Sequence, residues 1–213
     1  MKIYDWRLAP NPRRVRMFLS EKGLDVPLEE VGGENMRLKP DFVARFDPYA
    51  TTPMLELDDG SSISEAMAIC RYFEELHPEP RLLGRDAKER AVVDMWERRA
   101  YEGAMFALSE MIRNTHTAFA DRGLPGTAEP IRQVADVVER GQGRLRRFTK
   151  SFDKQLAANR FAVGESLTVA DITAFCALDF LNKGMKVPIP VELASLRRWY
   201  HEVENRPSAR ASA

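Results

Sequence analysis

Cysteine and histidine are scarce in this chain of 213 residues, neither sign of charge dominates, and no long apolar run occurs. Each absence closes off a class of protein. Two cysteines, Cys70 and Cys176, are too few and too far apart for a disulfide framework. The three histidines, His77, His116 and His201, stand singly and without the paired spacing of a zinc site, so no metal is expected. Lys+Arg and Asp+Glu each number 32, which removes the basic surplus that nucleic-acid and anionic-membrane binders carry. The longest weakly polar run, Ile172 to Leu181, includes Asp179 and is far too short to span a bilayer. Residues Met1 to Arg7 contain no apolar signal-peptide core. A cytoplasmic globular protein without nucleic-acid or membrane partners is therefore expected, and 44% hydrophobic residues suffice to bury a core.

What is present falls into two parts. The first alternates short strands with helices. Lys2 to Trp6 predicts a strand, Arg13 to Lys22 a helix ended by Gly23, Val26 to Val31 a strand, and Pro40 to Phe46 a short helix. In this reading Asn11 is the N-cap of the first helix and Pro12 its first residue. Pro53 to Leu57 and Ser61 to Ile63 predict a hairpin turning at Asp58-Asp59-Gly60, and Glu65 to Leu76 a third helix. The order β-α-β-α-β-β-α implies a parallel pair with an antiparallel edge. Beyond His77-Pro78-Glu79-Pro80, strand signals nearly vanish.

Helical patterns run over Asp86 to Thr115, over Ile131 to Leu156, from the capping box Thr168-Val169-Ala170-Asp171, and over Val191 to Glu204, where Asn205 to Ser208 terminate the last. Ala118 to Pro130, with Pro125-Gly126, reads as a loop, and Gly141 and Gly143 predict a close helix approach or a bend. The helix after Thr168 is apolar on most sides and should run through the middle of a bundle. The expected architecture is α/β followed by all-α, with 1–78 as the sheet domain, 79–85 as linker and 86–213 as helical domain.

Five segments in order carry a resemblance: Ala9 to Arg16, Asp47 to Pro53, Ser64 to Ile69, Gly164 to Asp171, and Arg206 to Ser208. Over essentially its whole length the chain resembles the soluble glutathione S-transferases, in a bacterial and fungal branch with a Pro-Asn-Pro-Arg-Arg start. The resemblance implies a thioredoxin-like N-terminal domain with a C-terminal helical bundle, glutathione as co-substrate, a hydrophobic electrophile as second substrate, and a homodimer. It also implies that Thr52, before a cis Pro53, presents its backbone to the cysteinyl part of glutathione by strand addition; a trans proline opening a strand is the ordinary alternative. Glu65 would face the γ-glutamyl ammonium while the amide of Ala66 meets the carboxylate, although an acid at a helix mouth also simply complements the macrodipole. Ala66 replaces the family's usual serine, so one hydroxyl contact is lost. For the glycyl carboxylate, Lys39 is preferred over Arg37; many relatives carry a lysine at the position of Thr51.

Thiol activation is where the chain departs most from the family. A thiol with pKa near ~8.5 is about 3% ionised at pH 7, and lowering it by about two units requires ~2.7 kcal/mol of anion stabilisation. Relatives use Tyr, Ser or Cys near the end of the first strand. Here residue 9 is Ala, and no Ser, Thr or Cys occurs before Ser20; Tyr4 lies inside the strand. Asn11 remains, either as amide donor to sulfur or merely as helix cap. His116 is the second candidate, acting through water or only complementing a helix end. Arg13, Arg14 and Arg16 either lower the thiol pKa through space or form ion pairs. Met105, Met111 and Phe119 line the electrophile site or belong to the core. A glutathione transferase leads; a non-catalytic binding protein of the same fold, or glutathione-dependent isomerase, lyase or peroxidase chemistry, are the alternatives.

Overall fold

The computed structural model describes residues 1–46, 50–125 and 129–213. Asp47, Pro48 and Tyr49 of the second family segment, and Gly126 of the predicted loop, lie outside them. Strands β1 (Lys2–Asp5), β2 (Leu28–Glu30), β3 (Met54–Glu56) and β4 (Ser62–Ser64) form one sheet in the order β2-β1-β3-β4. β1 pairs parallel to β2, with Asp5 opposite Glu30, and antiparallel to β3, with Tyr4 opposite Met54; β3 pairs antiparallel to β4, with Met54 opposite Ser64. β2 is shorter than predicted and exposed throughout, as a strand at the sheet's edge tolerates.

Helix α1 (Pro10–Lys22) begins earlier than the sequence suggests. Pro10, with φ preset for a helix, takes the first position, so Ala9 is the N-cap and Asn11 lies inside the first turn. The expectation that Asn11 caps this helix is thereby corrected. Gly23 ends α1 in the left-handed region at φ 67°, as expected. Helices α2 (Pro40–Phe46) and α3 (Ala66–Leu76) complete the sheet-bearing half.

The second half contains α4 (Ala87–Ala100), α5 (Phe106–Arg113), α6 (Ala135–Ala157), α7 (Val169–Asp179), α8 (Ala194–Glu204) and α9 (Pro207–Ala211). α4 and α5 are one helical path, widened into a π-helical turn at Tyr101–Met105. Gly103 in that turn lies so near α6 that a Cβ would stand 2.5 Å from Phe148 Cβ. Gly141 of α6 likewise abuts the Ala107 carbonyl and Met111, giving the expected close approach, whereas a Cβ at Gly143 would meet only the end of the Arg146 side chain at 3.8 Å. α6 starts at Ala135 rather than Ile131, because Asn114 Oδ1 accepts the Val134 amide and holds the preceding segment against the end of α5. Every residue of α7 is buried, and its capping box is present. Pro207 does not simply terminate α8 but opens α9, which was not foreseen.

The two halves meet along α1, which packs against α3, α7 and α9. Arg14, 2% exposed, sits at 2.5 Å from Glu97 of α4 and 3.0 Å from the Thr173 hydroxyl of α7. Arg13 pairs with Asp179 of α7 at 2.6 Å, and Arg206 grips Glu21 through two bonds of 2.7 Å. Such pairs add little over an apolar contact but make the loss of one partner costly, about 3–5 kcal/mol when fully buried.

Candidate functional site

The strand register determines what can meet. β1 and β2 both end, β3 begins and β4 ends at one edge of the sheet, because β1 and β2 are parallel while β3 opposes β1 and β4 opposes β3. From this edge leave the turn into α1 with Asn11, the 31–39 loop with Arg37 and Lys39, the Thr52–Pro53 step, and the Glu65–Ala66 step into α3. Four segments that carry sequence-predicted positions are thus brought together by topology, although they span more than fifty residues.

At the mouth of α1, Pro10 and Pro12 lack N–H groups, the Ala9 amide donates to the Trp6 carbonyl, and the Arg13 amide donates to the Ala9 carbonyl. The Asn11 amide is the backbone donor left over in this turn, without a partner among the described residues. Its side-chain Oδ1 accepts from Arg14 at 3.1 Å. Tyr4 is not available to a thiol: its buried hydroxyl lies 2.5 Å from Glu56 and 2.7 Å from Arg45, and burial raises its pKa.

The Thr52–Pro53 bond is cis, as the family resemblance implied. Thr52 is half-buried and makes no hydrogen bond, through backbone or side chain, among the described residues. Glu65 is exposed and stands at φ 72°, ψ 121°, a conformation that L-residues rarely adopt. Its carboxylate has no hydrogen bond or ion pair among the described residues. Ala66 buries its methyl group, 3% exposed, which leaves the first turn of α3 to act through its amides.

The cations of the 31–39 loop are tied down. Lys39 Nζ donates to the Glu30 carbonyl at 2.6 Å, leaving two further donors, and Arg37 pairs with Asp121 at 3.1 Å. Arg122 adds bonds to the carbonyls of Met36 and Asn35, so the segment after α5 clasps this loop. His116 is beyond the end of α5 and caps the 3-10 turn Thr117–Phe119, its Nδ1 accepting the Ala118 amide at 3.1 Å. With that lone pair engaged, a neutral His116 carries its proton on Nε2 and offers a donor, not a base.

Met105, Met111 and Phe119 are all buried, at 4%, 5% and 5% exposure, so they are core and do not line an open site. Phe119 is covered on its faces by Arg113 and Arg122, at 4.8 and 4.9 Å. Arg13, Arg14 and Arg16 form ion pairs, with Asp179, Glu97 and Asp5 respectively. Sequence reasoning missed Tyr101 altogether. It is half-buried in the π-helical turn, beneath the Arg14 guanidinium at 5.5 Å. Burial raises its pKa; Arg14 opposes the rise, and Glu65 adds to it, so Tyr101 lies within electrostatic reach of the α3 mouth. Its position in a long helix carried no signal of this; only the nearby Gly103 hinted at an irregular turn. Both cysteines are buried and free, and burial pushes Cys70 up to about 12 and Cys176 to about 11. No His/Cys/Asp/Glu group able to hold a metal occurs among the described residues.

A four-stranded mixed sheet with flanking helices, followed by an all-helical half, defines a thioredoxin-like domain joined to a helical one. Residues 9–76 match the N-terminal domain family of glutathione S-transferases, and residues 104–207 match the C-terminal domain family. Glutathione S-transferase 2 of Saccharomyces cerevisiae is 31% identical over 221 residues, which cover 99% of this chain and 88% of the yeast protein. Among solved structures, a glutathione S-transferase domain-containing protein of Marinobacter aquaeolei superimposes with a TM-score of 0.84 at 37% identity, over 98% of this chain and 99% of its own. Yeast Gtt2 superimposes with a TM-score of 0.87 at 29% identity, over the whole of both chains. The chain belongs to the soluble glutathione S-transferase family, and its activity is that of a transferase using glutathione.

Proposed function

We propose that glutathione lies along the open edge of the sheet and that its thiolate attacks an apolar electrophile there. In this assignment the backbone of Thr52, ahead of Pro53, pairs with the cysteinyl segment as an added strand. Glu65 receives the γ-glutamyl ammonium, the Ala66 amide and its neighbours in α3 receive the γ-glutamyl carboxylate, and Lys39 reaches the glycyl carboxylate with a donor not used on Glu30. The sulfur sits at the mouth of α1, where the backbone N–H and the side-chain amide of Asn11 both donate to it. His116 contributes as a donor through water. The thiol proton leaves to solvent, sulfur forms its bond to the electrophilic carbon, and the leaving group departs with the bonding pair. The single observation that carries this reading is the Glu65 carboxylate, held at positive φ and, like the Thr52 backbone beside it, without a partner among the described residues.

The sheet domain 1–78, the linker 79–85 and the helical domain 86–213 are proposed as the units of organisation, and the cytoplasm as the compartment. A homodimer is proposed through α3 and α4. Their shared face holds a cavity of about 510 Å³ lined by Met67, Arg71, Glu75, Arg90 and Asp94, and Met95 beside it is 39% exposed. Sedimentation at micromolar concentration is expected to give twice the chain mass. Calorimetric titration with glutathione should show saturable binding, and an activated aryl halide should be conjugated at a measurable rate. No heat of binding together with no conjugation would end the reading.

A further inference from the structure

A carboxamide has two ends of similar shape and opposite character, and which end faces a substrate decides whether it stabilises or repels an anion. In Asn11 that choice is made by a neighbour. Arg14, one turn along α1, places its NH1 3.1 Å from the Asn11 side-chain oxygen. Because a guanidinium can only donate, the end of Asn11 that faces it must be the oxygen, and the NH2 group is turned the other way. Arg14 itself has no freedom to release it. Its NH2 meets Glu97 of α4 at 2.5 Å, its Nε meets the Thr173 hydroxyl of α7 at 3.0 Å, and its plane covers the Tyr101 ring at 5.5 Å. Thr173 in turn donates to Glu97 at 3.2 Å, so the anchor is itself anchored.

Building on the glutathione reading, we propose that Arg14 is a positioning residue: it locks the Asn11 amide with its donors outward, toward the thiolate, and the lock is built from the helical half of the molecule. The charged groups that act with it on the Tyr101 ring beneath are Glu65, Glu97 and Arg98, and the preceding residue, Arg13, is paired with Asp179. Glu97 offsets most of the charge of Arg14, so orientation of the amide, more than the field of the arginine, carries the effect. The chain thereby substitutes an oriented carboxamide for the hydroxyl or thiol missing at residue 9, and docking of α4 and α7 onto α1 becomes a condition for activating the sulfur.

The test reads the pKa of bound glutathione from its ultraviolet thiolate absorbance across pH, together with kcat/KM for an aryl halide. Asn11→Ala should raise that pKa by about one unit, a tenfold change in the ionisation constant and about a threefold loss of thiolate at pH 7 from a starting value near ~6.5. Arg14→Lys should produce a comparable rise in the wild-type background and none in Asn11→Ala, with the KM for glutathione changed less than about threefold. Effects that add in the double variant, or an unchanged pKa in Arg14→Lys, overturn the proposal. Should Arg14→Lys not fold, Asn11→Asp reads the same point: the acid keeps one oxygen on Arg14 and turns the other to the sulfur. Its pKa should exceed that of Asn11→Ala, and a wild-type value overturns the lock. A wild-type protein that does not bind glutathione at all refutes the underlying functional reading instead, and calorimetry separates that failure from the others.

Discussion

The seam between α1 and α7 and the open edge of the sheet are neighbours along α1, yet they treat polar groups in opposite ways. At the seam, Arg14 is held by Glu97, Thr173 and Asn11, and Asp179 is shared by Arg13, Lys183 and Tyr200. Deeper in the helical half, Asp171 accepts from the Ala162 amide, from both the amide and hydroxyl of Thr168, and from Trp199 Nε1. At the sheet edge, the Glu65 carboxylate, the Thr52 backbone and the backbone N–H of Asn11 have no partner among the described residues. A folded chain leaves such groups open at a cost in stability, which binding of a polar ligand recovers. Pairing marks architecture; open polar groups on a constrained backbone mark the proposed site.

Five experiments sharpen that contrast. Asp171→Ala should give the largest effect, because four donors lose their acceptor inside the core: about 4 kcal/mol or more of unfolding free energy in urea titration. A loss under about 1 kcal/mol would mean that paired groups do not carry the architecture. Next comes Asp179→Asn, expected to cost about 2–3 kcal/mol through the uncompensated Arg13.

The same seam predicts a pH dependence. Burial alone would raise the carboxyl of Asp179, but bonds from Lys183, Tyr200 and Arg13 outweigh it; burial of Glu21 is likewise outweighed by Arg206 and Ser208. Both folded pKa values are therefore below their unfolded ones. Their stabilisation is present above about pH 4–5 and is lost as pH falls through the folded values. Melting temperatures followed downward from pH 6 should drop in that window, and the drop should shrink in Asp179→Asn.

At the open edge the order reverses. Glu65→Gln should leave stability within about 0.5 kcal/mol of the wild type while weakening glutathione about tenfold. A loss of stability with unchanged affinity would assign Glu65 to the architecture. Smallest of all, Lys39→Ala should weaken glutathione about two- to threefold in the same calorimetry, since one of its three donors already belongs to Glu30.

Much of this was legible in the residues. The capping box at Thr168, the stop at Gly23, the α2 span and the hairpin at Asp58 to Gly60 follow from local chemistry that acts over three or four residues. Helix starts were less legible where prolines compete: Pro10 rather than Pro12 opens α1, with Ala9 rather than Asn11 as its cap, and Pro207 opens α9 rather than ending α8. The apolar stripe overran α6 because Ile131 and Val134 are apolar without being helical, held instead by Asn114 and neighbouring backbone. Of the candidate site, Thr52, Pro53, Glu65 and Ala66 were nameable, yet nothing in their spacing shows which of their polar groups stay free.

By itself the sequence determined the order of elements, the family, and the absence of a hydroxyl or thiol at residue 9, since these depend on residue types and short-range periodicity. Tertiary structure alone decided that Met105, Met111 and Phe119 are core, and that Arg14 reaches Glu97 and Thr173 as well as Asn11. The Arg14 contacts depend on groups 83 and 159 residues away in the chain, and only packing of one half against the other brings them within hydrogen-bond range.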